Sequence, residues 1–85
     1  MGKYKVFIKP SAVKELDAIP LKKDKLRIAL KIKSLGDDPR LAGCQKLSGH
    51  DRFRLRQGQY RILYEINDNM LIVYVVKIGH QRCVS

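Results

Sequence analysis

Between residues 52 and 78 the chain changes side with nearly every residue, and two short breaks divide the run into three. In "RFRLR", 52 to 56, Phe53 and Leu55 point one way while Arg52, Arg54 and Arg56 point the other. "QGQ", 57 to 59, is short and contains the glycine that a tight reversal favours. Residues 60 to 66 alternate again, with Tyr60, Ile62, Tyr64 and Ile66 on the core side and Arg61, Leu63 and Glu65 on the other. "NDN", 67 to 69, makes a second turn, and "MLIVYVVKI", 70 to 78, is apolar on both parities. Connections this short force antiparallel pairing, because a parallel return needs a crossover of a dozen or more residues. The expectation is therefore an antiparallel meander whose last strand is central and covered on both faces. Gly79 should break that strand, and "QRCVS", 81 to 85, can add a short further one.

The N-terminal half reads differently. "KYKVFIK", 3 to 9, sets Tyr4, Val6 and Ile8 on one face and predicts a first strand that Pro10 stops. Ser11 is placed to cap a helix over "SAVKELDAIP", where Ala12, Val13, Leu16 and Ile19 keep helical spacing until Pro20. "LKKDKLRIALKIKSLGDDP", 21 to 39, predicts the long helix, with Gly36 as its stop and "GDDPRLAGC" as a loop. One stripe is Leu26, Ala29 and Leu30; another is Ile28, Ile32 and Leu35. Together they form a broad apolar arc suited to packing on a sheet. Lys23, Arg27 and Lys31 repeat every fourth residue opposite that arc. The order strand, helix, helix, meander is α+β, with a two-helix hairpin packed on one sheet face. A chain of 85 residues has room for one such domain, 1 to 85.

Charge narrows the partners. Eighteen Lys and Arg face eight Asp and Glu, a net charge of +10. That balance concentrates polyanions near the surface: nucleic acid, the ribosome, an anionic membrane or an acidic protein. No apolar run is long enough for a signal peptide or a membrane span, and Val6 breaks the myristoylation pattern after Gly2, so a cytoplasmic location is expected. Cys44 and Cys83 show no paired spacing and read as free thiols, and with His50 and His80 they outline no metal site or cofactor. His50 follows "LSG" in a loop and reads as a surface residue.

The stretches "KLSG" (46 to 49), "RFRLRQGQYRILYEI" (52 to 66) and "LIVYVVKIGHQR" (71 to 82) resemble the RelE/ParE superfamily of bacterial type II toxin–antitoxin systems. The set of Tyr60, Arg61 and Tyr64, a turn, an apolar strand and the Gly79–His80 step carries the likeness, which spans nearly the whole chain. It implies a RelE-like microbial RNase-type fold. The RelE branch comprises ribosome-dependent mRNA endoribonucleases, metal-independent mRNA interferases that inhibit translation and are neutralised by a cognate antitoxin. The ParE branch poisons DNA gyrase instead, and fold alone does not separate the two. "FRLRQGQYRILYEI" looks more RelE-like. The implied partners are mRNA, the ribosome and an antitoxin with an acidic segment, held in a toxin–antitoxin hetero-oligomer.

RNA cleavage without a metal needs a proton acceptor for the 2′-hydroxyl, positive charge for the phosphorane, and help for the leaving 5′-oxygen. Arginine supplies the charge, since its planar fork binds two phosphate oxygens and stays ionised near neutral pH. Parity places Arg54 and Arg56 on one face, and the hairpin brings Arg61 beside them. The resemblance carries the family's basic site positions onto Arg54, Arg56 and Arg61, with Arg82 as a fourth. A solvated, solubilising strand face is the plainer reading of the same arginines. His80 is a candidate general acid or base, or a structural imidazole bonded to backbone. Glu65 reads as an ion-pair partner of the arginines, and Tyr60 and Tyr64 as core. Lys46, Arg52 and Gln81 are expected to hold RNA. Lys23, Arg27 and Lys31 form a solvated helix face or track ribosomal RNA phosphate. Two positions depart from the RelE-like pattern: Gln81 where an Arg is common, and Ser85 where a Tyr is. They motivate a third reading, an RNA-binding homologue with weak catalysis.

Overall fold

In the computed structural model, which describes residues 3–41, 43–47 and 52–80, the elements run β1 (Lys5–Ile8), α1 (Pro10–Asp17), α2 (Lys22–Ser34), β2 (Gln45–Lys46), β3 (Arg52–Gln57), β4 (Tyr60–Asn67) and β5 (Ile72–His80). The strands form one mixed sheet in the order β1-β5-β4-β3-β2. The meander β3–β4–β5 is antiparallel, as its two turns require. Gln57 pairs with Tyr60 across a two-residue connection, and Gly58 takes the left-handed conformation there (φ 59°). β1 lies parallel to β5, with Lys5 opposite Ile72 and Phe7 opposite Tyr74.

Both helices cover the same face. Ile28, Ile32 and Leu35 from the second helix meet Phe53, Leu55, Ile62, Tyr64, Ile66, Val73, Val75 and Ile78 from the sheet, with Ala12 and Ile19 completing the core. Tyr4, Val6 and Ile8 pack against it from β1, on the single face their spacing predicts. Burying one such aliphatic side chain is worth about 1.5–3 kcal/mol. Tyr64 is fully buried, and its hydroxyl donates to the Pro39 carbonyl at 2.7 Å. That burial pushes its phenol pKa up.

A β-bulge interrupts β5. Tyr64 pairs with Val75 but Leu63 pairs with Lys77, so Val76 is an extra residue on one strand. Core-facing residues are Val73 and Val75 before it and Ile78 after it. Beyond Val75 the neighbouring strand β1 has ended, and α1 supplies the missing partner. Ile78 N–H donates to Glu15 Oε1 at 3.0 Å, and Lys77 Nζ lies 3.6 Å from Glu15 Oε2.

The structure corrects six expectations. Gly79 does not break the last strand: β5 runs through it to His80. Ser11 is not a cap: Lys9 holds the N-cap position, Pro10 opens the helix, and no side chain caps it. Proline's fixed φ suits a first turn, where its missing N–H costs nothing. The long helix stops at Ser34, with Leu35 still right-handed, so Gly36 is not a left-handed stop. Its carbonyl accepts from Lys3 and Tyr4 N–H, and a Cβ there would sit 3.2 Å from the Tyr4 oxygen, so glycine permits the close approach of the chain leading into β1. Only half the apolar arc is used, since Leu26 and Leu30 remain exposed. β5 is central but covered on one face only, leaving Tyr74 exposed on the other. The loop before β3 holds an additional two-residue strand, β2. The further strand expected at 81 to 85 lies outside the described residues.

Candidate functional site

Because the helices occupy one face, no described element covers the sheet's other face. Strand parity sends Arg52, Arg54 and Arg56 there, and pairing brings in the rest: Arg52 opposite Glu65, Arg54 opposite Leu63, Arg56 opposite Arg61. Arg54, Arg56 and Arg61 are therefore brought together as expected. Arg61 in turn lies opposite Gly79 on β5, and its Nε sits 3.7 Å from where a Gly79 Cβ would be. The strand neighbour with no side chain leaves the surface over which the guanidinium lies.

The arginines differ in what holds them. Arg54 donates to Gln45 Oε1 on β2 at 2.7 Å. Arg52 is bound by Glu65 through Nη2 at 2.8 Å and Nε at 3.3 Å, so Glu65 orients Arg52 rather than Arg61. Arg61 Nε is buried and has no hydrogen-bond partner among the described residues. A buried donor without an acceptor costs about 1–3 kcal/mol. Two guanidinium groups directly opposite each other across a strand pair add repulsion. An anion bound between Arg56 and Arg61 would relieve both. A phosphate has the charge and the geometry to do so.

Other expected residues are not part of this group. The bulge at Val76 shifts the parity of β5, so His80 faces the core side with Tyr60 instead of the arginine face. Its ring packs edge-on against Tyr60 (4.9 Å between centroids), and Nε2 lies 3.3 Å from Gln59 Oε1. In this register His80 does not share the arginines' face of the sheet. Lys46 pairs with Phe53, one residue out of step with Gln45, and lines a recess with Arg40, Asp68, Glu65 and Tyr74. Lys23, Arg27 and Lys31 belong to the helix layer on the far side of the sheet, where Arg27 and Lys31 line a shallow depression that reaches Gln57. Gln81, Arg82, Cys83, Ser85 and His50 lie outside the described residues. Among those described, no three His, Cys, Asp or Glu side chains group to hold a metal, and no helix is long and apolar enough to cross a membrane.

Sequence reasoning missed Gln45 and Gly79, which become visible only through register. It also missed a tie at the opposite end of the sheet. Tyr4 donates to Asp68 Oδ1 at 2.7 Å, and Arg40 holds both Asp68 oxygens at 3.2 and 2.9 Å while lying over the Phe53 ring. The bonds from Arg40 and Tyr4 hold the Asp68 carboxyl below the usual carboxylate range.

Comparison with known proteins gives a consistent family. The family described as ParE toxin of type II toxin–antitoxin system, parDE, matches residues 6–83. Among solved structures, the archaeal RelE–RelB complex from Pyrococcus horikoshii superposes with TM-score 0.81 at 24% identity, over 96% of this chain and 99% of that one. An arginine-to-alanine double mutant of Escherichia coli toxin RelE, in the free state, gives TM-score 0.74 at 25% identity, over 94% and 84%. The YoeB/ParE toxin from Agrobacterium tumefaciens gives 0.75 at 14% identity, over 89% and 96%. No curated protein sequence matches the chain.

Proposed function

Since the chain belongs to the ParE toxin family of type II toxin–antitoxin systems, within the RelE/ParE superfamily, we propose that this toxin is a ribosome-dependent endoribonuclease that cleaves mRNA in the ribosomal A site without a metal. The observation that carries this reading is the Arg56–Arg61 register pair on the sheet face away from the helices, with Arg61 Nε buried and without a hydrogen-bond partner among the described residues. In such a reaction the 2′-oxygen attacks the adjacent phosphorus, the bond to the 5′-oxygen breaks, and the 2′-proton is ultimately transferred to that leaving oxygen. Negative charge on the phosphoryl oxygens peaks between the two events. Arg61 and Arg56 are placed to meet it, and a fixed donor already stripped of water needs no reorganisation to do so. Arg54 extends the positive surface along the strand, and Arg82 is proposed as a fourth arginine. Arg52, held by Glu65, positions the strand more than it binds substrate.

A cognate antitoxin is the regulatory partner that this toxin family implies, and the Pyrococcus RelE–RelB complex illustrates such an assembly. An acidic segment seated on the arginine face would neutralise the site, and charge steering predicts an association rate that falls as salt rises. The second reading, a gyrase-directed inhibitor without hydrolytic chemistry, is favoured by the ParE description of the matching family. Induced expression followed by mapping of mRNA ends separates the two. New ribosome-dependent mRNA ends support the nuclease. Gyrase-linked DNA breaks with intact mRNA overturn it.

A further inference from the structure

The open sheet face carries a second feature beside the arginines. Phe7 on β1 and Tyr74 on β5 are register partners, and both remain exposed, at 49% and 37%. Core packing does not account for them, because every buried strand residue points to the opposite face. Lys5 shares the parity of Phe7, and Lys9 follows two residues after it, so lysines flank the aromatic pair along the strand. The platform is continuous with the arginine site. Tyr74 pairs with Glu65 and Gly79 pairs with Arg61, which puts them four residues apart along β4, about 13 Å at ~3.3 Å per residue. The acid beside Tyr74, Glu65, is already held by Arg52 and so does little to repel a polyanion.

We propose that Phe7 and Tyr74 form a stacking platform for unpaired bases of single-stranded RNA whose backbone runs from the lysines of β1 toward Arg61. The inference rests on the nuclease reading and adds to it a subsite remote from the scissile phosphate. Every base offers a π-face to an aromatic ring, so the subsite is tolerant of sequence; a duplex, whose bases are already stacked, cannot use it. Lysines supply the sequence-blind attraction to phosphate. An acidic peptide would use the lysines but would gain little from two adjacent rings.

The chain has no tryptophan, so Tyr74→Trp installs a single optical reporter. The probe is an octamer of 2′-O-methyl RNA, which binds but cannot be cut because its 2′-oxygen is blocked. Quenching of the tryptophan by the single strand is expected, with loss of the effect for the duplex of the same sequence. Phe7→Leu and Tyr74→Leu, which keep apolar bulk but remove the rings, should weaken octamer binding by about 5- to 100-fold each. An abasic octamer bound as tightly as the intact one, or leucine variants with unchanged affinity, overturns the platform. So does loss of poly-glutamate binding in the leucine variants with RNA binding intact, which would mark a protein-docking face instead. Because the octamer is not cleaved, these results stand apart from the mRNA-end mapping. Intact mRNA in cells together with quenching in the Tyr74→Trp variant would remove the nuclease reading and leave the platform, and new mRNA ends without quenching would do the reverse.

Discussion

Arg61→Met should make the protein more stable and much less active. The native side chain carries two penalties in the folded state. Its Nε is buried without an acceptor among the described residues, which costs about 1 kcal/mol at the low end of the usual range. It also faces Arg56 directly, and like charges so placed cost up to roughly 1 kcal/mol. Methionine keeps a long unbranched stem over Gly79 and removes both. The expected gain is about 1–2 kcal/mol, or a rise in Tm of roughly 4–16 °C for a domain of this size. The repulsive share should fade in about 1 M salt, where screening shortens to ~3 Å. Single-turnover cleavage on saturating ribosomes should meanwhile fall about 100- to 1000-fold, with binding little changed. Arg27→Met, on the far side of the sheet, should stay within about 0.5 kcal/mol in stability and cleave nearly normally. Urea and thermal melts with parallel kinetics test the pair. A lower Tm for Arg61→Met would show that the guanidinium is satisfied in the native state, and equal activity losses at both positions would reduce the arginine hairpin to bulk electrostatics.

Tyr64→Phe strands the buried Pro39 carbonyl and should cost about 1–2 kcal/mol, seen as a lower urea midpoint with an unchanged slope. Glu15→Ala leaves Ile78 N–H without its acceptor and should speed hydrogen exchange at that amide; Glu15→Gln, which keeps a carbonyl oxygen in reach, should preserve most of the protection. Asp68 has a folded-state pKa below its unfolded value near 4, so its contribution is fully present above about pH 4 and is lost as pH falls through the folded value. Comparing melts at about pH 5 and pH 3, Asp68→Asn should lose less stability than the native chain over that interval.

The hairpin was legible because strict alternation, a glycine turn and β-forming residues all agree from Arg52 to Ile66. The same parity made Arg54, Arg56 and Arg61 legible as one group. His80 was not, because "MLIVYVVKI" is apolar on both parities and conceals the bulge at Val76; one extra residue turns every later side chain to the other face. The helix arc failed for a related reason. Periodicity shows that Leu26 and Leu30 are apolar, but not whether the chain itself has anything to lay over them, and among the described residues they stay exposed. The two-residue strand β2 carries no periodic signal at all. Gly36 was read as a conformational device when its use is steric, a distinction that depends on how closely Tyr4 approaches.

The parallel pairing of β1 with β5 has a kinetic consequence. It joins residues 5 to 8 to residues 72 to 75, nearly the full span of the described chain, and such distant pairings form late because the loop between them must close first. The residue beneath Arg61, Gly79, is delivered by that same last strand. On the nuclease reading proposed above, a nascent chain would carry its hairpin arginines before it carries a site, and would stay inactive until β5 has emerged and docked.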